Sequence, residues 1–102
     1  MGLNLVQHID HAEAAGKVNM DLNPTDVLIF GNSEVGTKLM QENPQVAIEL
    51  PLKILVYREG NITRVAYENP NRLIYTYQLD NQREVLTKME AVLEKITDEA
   101  IR

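Results

Sequence analysis

The sequence predicts an α+β fold: a mainly antiparallel sheet of three to four strands, helices packed on one face, and a long C-terminal amphipathic helix. Three observations carry this. Lys53 to Glu59 and Ile62 to Tyr67 are strand-like and joined by the turn dipeptide Gly60-Asn61, which makes an antiparallel hairpin. Asn81 to Ile101 places Val85, Met89, Val92, Leu93, Ile96 and Ala100 on one helical stripe. Residues 24–53 read as strand, tight turn, helix, strand.

Taken in order, Leu3 to Ile9 alternates loosely and predicts a strand. Asp10 follows as a helix N-cap, because Glu13, three residues on, closes a capping box. The helix, about His11 to Asn19, is rich in alanine, and Gly16 weakens it by about 1 kcal/mol relative to alanine. Asn23-Pro24 breaks the chain. Asp26 to Phe30 is nearly continuous in apolar character, which predicts a strand covered on both faces. Asn32 or Ser33 caps a helix over Glu34 to Asn43, with Val35, Leu39 and Met40 at helical spacing, and Pro44 ends it. Gln45 to Leu50 is either another helical turn or a connector. After the hairpin, Asn69-Pro70 opens a short segment in which Ile74, Tyr75 and Tyr77 suggest either a semi-exposed patch suited to a dimer interface or, equally, the edge of the core. Asn81 with Glu84 forms a second capping pair ahead of the last helix.

A chain of 102 residues is expected to form one domain over residues 1–102. With 44% hydrophobic and 25% charged residues, it has the composition of a soluble globular protein. A formal net charge of −5 gives no long-range attraction for nucleic acid or an anionic membrane, so neither is expected as a partner. Without cysteine there is no disulfide, thiolate metal site or cysteine nucleophile. No apolar run approaches the ~18 residues of a membrane span, and the N-terminus lacks the blocks of a signal peptide, so the cytoplasm is the expected location.

Four pieces in order, together with a fifth, resemble a known bacterial family, the domain of unknown function 302. They are Ile9-Asp10-His11-Ala12; Leu28-Ile29-Phe30-Gly31-Asn32 after Pro24-Thr25; Gly36-Thr37 with Leu39-Met40; Ala47 with Leu50-Pro51-Leu52-Lys53; and Tyr67-Glu68-Asn69-Pro70. The resemblance covers about Leu3 to Pro70, with the last helix matching by pattern only. Ser33 stands where the family usually has proline, and Glu49 where it has aspartate. Family members generally carry a strand and a helix ahead of the Leu3 segment, which this chain is expected to lack. The resemblance implies a compact α+β domain that often forms dimers, and no established reaction.

Candidate chemistry gathers at the end of the second strand. A strand feeding a helix N-terminus through glycines presents backbone N–H groups to an anion. Gly31 to Thr37 departs from both the P-loop and dinucleotide glycine patterns, so a nucleotide is not implied. His8, Asp10 and His11 invite a metal reading, but a strand-to-helix boundary does not make them converge, and no metal or cofactor is expected. Lys53 begins a strand between Leu52 and Ile54, a position from which it can face a cleft and pair with Asp10, Glu49 or a bound anion, though an ordinary salt bridge or a solvated strand end is the commoner case for such a lysine. The leading expectation is a homodimeric domain binding a small, anionic ligand through Asp10, His11, Phe30, Gly31, Asn32, Gly36, Thr37 and Lys53. A second is an enzyme with His11 as general acid/base and Thr37 and Lys53 as polarising groups. A third is a structural or regulatory dimerisation domain without a ligand.

Overall fold

A computed structural model describes residues 3–100, and the side chains of residues 3–99. Four strands, β1 (Asn4–Asp10), β2 (Thr25–Gly31), β3 (Leu52–Glu59) and β4 (Ile62–Ala66), form one sheet in that spatial order, with every neighbouring pair antiparallel. The helices are α1 (His11–Lys17), α2 (Ser33–Glu42), α3 (Arg72–Thr76) and α4 (Arg83–Ala100). The fold class and the hairpin at Gly60-Asn61 are as the sequence predicts, with Gly60 at φ +61°, where a side chain is strained.

Local chemistry sets the boundaries. The Asp10 carboxylate accepts a hydrogen bond from the Glu13 N–H at 2.9 Å and starts α1. Asn19, at φ 61°, stops the helix while its N–H and that of Met20 donate to Gly16 and Ala15 carbonyls. Asn32 caps α2 by accepting from the Val35 N–H at 3.1 Å. Asn43 ends α2, and its side chain accepts from the Gln45 N–H and donates to the Tyr77 carbonyl. The segment left open between helix and connector is a 3-10 helix, Pro44–Glu49, which hands the chain to β3 across a cis Leu50-Pro51 bond.

Cross-strand partners share a face of a sheet. Phe30 pairs with Leu52, and Val56 with Val65, so with Ile54 these form the face turned to the helices. The core lies there: Leu52 and Ile54 pack with Val35 and Leu39 of α2, Leu73 and Ile74 of α3, and Leu86, Met89 and Leu93 of α4. Ile29 pairs with Lys53 and Val27 with Leu55 on the opposite face. Every residue of β2 is only half-buried, so the expectation of a strand covered on both faces is corrected. Its apolar run serves the core with Phe30 and leaves Val27 and Ile29 on the far side, outside the core cluster.

Two further expectations change. The chain enters α4 through a 3-10 turn, Asp80–Gln82, with no side-chain cap at Leu79, so Asn81 sits inside that turn and is not the cap of α4. Ile101 lies outside the described residues, as does the side chain of Ala100. The tyrosine patch does not form, because Ile74 is a core residue in α3 and Tyr77 is half-buried. Only Tyr75 of the three is exposed, with the Arg83 guanidinium 5.7 Å from its ring centre.

Candidate functional site

The strand-turn-helix unit builds one side of a cavity of about 440 Å³. Phe30 and Gly31 end β2, Asn32 caps α2, and Gly36, Thr37 and Met40 follow on the helix face toward the cavity. Across from them stand Leu50, Pro51 and Leu52. Leu3, Asn4 and Val6 close the third side. Val6 reaches it through a β-bulge: Leu5 pairs with Phe30 and Gln7 with Ile29, leaving Val6 without a cross-strand partner. Nothing in the one-dimensional pattern marks that extra residue.

Two glycines leave room. A methyl at Gly31 would stand 3.4 Å from both Pro51 Cβ and Val6 Cγ2. One at Gly36 would meet Leu50 Cδ1 and Met40 Cε at 3.8 Å. The polar lining is Asn4, Asn32, Ser33 and Thr37, and no lysine, arginine or histidine is part of it. The Asn32 carbonyl accepts from the Gly36 N–H at 2.8 Å, inside the helix ladder. The cavity is an apolar slot with a few neutral polar groups, so its lining lacks the fixed cation an anionic ligand would select.

Five of the eight residues proposed from the sequence, Phe30, Gly31, Asn32, Gly36 and Thr37, line this cavity together. Asp10 and His11 do not. Asp10 pairs with Asp26 at the far end of β1, four residues along β2 from Phe30, about 13 Å away at strand rise. Its carboxylate is occupied as the α1 cap. His11 opens α1 and is exposed. Lys53 faces the other side of the sheet, since its neighbour Leu52 belongs to the core face. The arrangement of His11, Thr37 and Lys53 around one reacting centre is therefore not assembled. Among the described residues no three His, Asp or Glu side chains are grouped to hold a metal ion. His8 instead bonds Asp26, Nε2 to Oδ1 at 2.7 Å.

Lys53 lines a second cavity, of about 490 Å³. Beside it lies a charged cluster that sequence reasoning missed. Arg72 Nη2 donates to Glu49 Oε1 at 2.7 Å, Arg72 Nε pairs with Glu68, and the Tyr77 hydroxyl donates to Glu49 Oε2 at 2.7 Å. The Tyr77 hydrogen bond, then that from Arg72, holds the Glu49 carboxyl below the usual glutamate range. The same bond to Glu49 pushes the Tyr77 phenol up. Burial, with a hydrogen bond to Glu90, pushes up the Tyr67 phenol. Glu49 belongs to a motif quoted above, but its partners lie 23 and 28 residues on, a separation no local pattern reports.

A family described as a domain of unknown function, DUF302, matches residues 1–96. The chain belongs to the DUF302 family. A crystal structure of an uncharacterized conserved DUF302 protein from Bacillus stearothermophilus has the same fold, at a TM-score of 0.82 and 22% identity, over 95% of this chain and 77% of that one. Curated relatives are fluoride-specific ion channels from Brucella suis and Brucella abortus, each 36% identical over 61 residues, or 60% of this chain. The aligned segment makes up 24% and 23% of those proteins. The chain therefore spans about a quarter of the length of the curated relatives it matches.

Proposed function

We propose that this DUF302 chain is a small-molecule-binding module whose ligand is a compact, uncharged and mainly apolar molecule seated in the cavity around residues 30–37. The observation that carries the reading is the lining. Phe30, Val35, Met40, Leu50 and Leu52 supply an apolar slot, while Ser33 and Thr37 stand at one side as neutral donors and acceptors. A hydroxyl or carbonyl head suits those groups better than an anion does, because no cation lines the slot. The channel-named relatives share a segment that is about a quarter of their length. No helix among the described residues is long and apolar enough to cross a membrane, so the shared segment is read as an accessory module and not as a pore.

The test is a fluorescence titration with the uncharged dye N-phenyl-1-naphthylamine, followed by displacement with a series of medium-chain alcohols. Saturable binding that Gly36→Leu weakens at least about tenfold (about 1.4 kcal/mol) is the expected result. The larger side chain fills the space now bordered by Leu50 and Met40. Thr37→Ala is expected to weaken alcohols and leave the dye unchanged. Failure of the dye to bind, or equal binding by Gly36→Leu, overturns the assignment.

A further inference from the structure

We propose a second ligand site, reached from the Lys53 face of the sheet, that takes a small monocarboxylate with a short apolar chain and holds its carboxylate on Lys53. The second cavity has an apolar floor of Val27, Leu55 and Ala66, and where β3 runs past the end of β4 it is walled by Pro70 and by the core residues Leu52 and Leu73. Its charged groups are Glu49, Lys53, Glu68 and Arg72. Three of these four are committed to one another. Arg72 serves both Glu49 and Glu68, and the second oxygen of Glu49 is taken by Tyr77. Lys53 differs: it is exposed, and among the described residues its ammonium has no hydrogen bond and no direct ion pair, although its charge also acts on the Glu49 carboxylate. Its cross-strand partner is Ile29, and Leu55 is two residues along the same face.

The charge pattern decides the ligand class. One ammonium, with three N–H donors, donates to one carboxylate. Glu49 and Glu68 flank it, so a dianion meets two carboxylates for the single cation outside the Arg72 cluster. A neutral molecule gains nothing from the ammonium, which stays in water. Val27, Leu55 and Ala66 give an alkyl chain of a few carbons an apolar surface.

The experiment is a two-dimensional amide NMR titration of the intact chain with hexanoate, hexanamide and succinate. Hexanoate is expected to shift the amides of Val27, Lys53, Leu55 and Ala66 saturably, with hexanamide and succinate at least about tenfold weaker. Lys53→Met is expected to weaken hexanoate about tenfold or more, and Glu68→Gln to tighten it about twofold by removing a flanking negative charge. Gly36→Leu, which blocks the slot on the other face, leaves hexanoate binding intact, so the two sites fail or stand separately. Lys53→Gln is measured alongside, in case methionine at this position disturbs the sheet. The proposal is overturned if hexanoate leaves these amides unmoved, if its shifts map to residues 30–37, or if either folded Lys53 variant binds it as wild type does.

Discussion

Glu49 shows how much one side chain organises. It closes the 3-10 helix ahead of β3, yet its carboxylate ties that segment to Arg72 and Tyr77 of the α3 region. Because its folded-state pKa is depressed, its contribution is fully present above the unfolded glutamate value near 4.3 and is lost as pH falls through the lower folded value. Arg72 is 43% exposed, so solvent discounts the ion pair, and the effect is small. Glu49→Gln is expected to lower Tm by about 2–5 °C at pH 7, with the difference from wild type shrinking below pH 4. Thermal unfolding by circular dichroism from pH 3 to 7 checks it, and a gap that widens in acid contradicts it. Tyr77 moves the other way: its raised pKa keeps its contribution at neutral pH and loses it as pH rises through the folded-state value. At this scale the sequence was legible where chemistry is local. Asp10 with Glu13, and Asn32 ahead of α2, are caps three residues in span. The Glu49 cluster was not legible, because its members meet only through tertiary packing.

At the scale of the elements, the residue after α3 carries a cost. Gln78 sits at φ 56°, where it lets the Leu79 N–H donate to the Ile74 carbonyl and turns the chain toward α4. A side chain there is strained, so Gln78→Gly is expected to stabilise the fold by about 0.5–1 kcal/mol, read from urea unfolding. Helix α4 presents Leu86, Met89 and Leu93 to the sheet, and Leu86 is fully buried at 0% exposure. Leu86→Ala is expected to cost about 2–5 kcal/mol, and a loss below 1 kcal/mol would mean the helix is not seated as described. Periodicity located this helix and its Met89–Leu93 stripe, but its first turn was misplaced because the 3-10 entry at Asp80–Gln82 shifts the start of the helix to Arg83. Helix α3 was missed: a five-residue helix is too short for an amphipathic period to register.

For the whole molecule, the consequence of the pleat is that one sheet borders two cavities of different lining. Phe30 and Leu52 face the helix side and border an uncharged slot, while Lys53, one residue later, faces a cavity with charged groups. The sequence reading gave Lys53 to the same pocket from its apolar neighbours Leu52 and Ile54, but those two face the core and the pleat turns Lys53 the other way. The same pleat sets a prediction for global stability. A ligand that binds only the folded chain adds about 1.4 kcal/mol for each tenfold excess over its Kd, which for about 100 residues raises Tm by roughly 5–10 °C. A medium-chain alcohol in the slot and hexanoate on the far face share no lining residue except Leu52. Their stabilising effects are therefore expected to add to within about 0.5 kcal/mol. Scanning calorimetry with each ligand alone and with both together measures this. A combined rise no larger than the greater single one shows competition for one cavity, and the two-face description then fails.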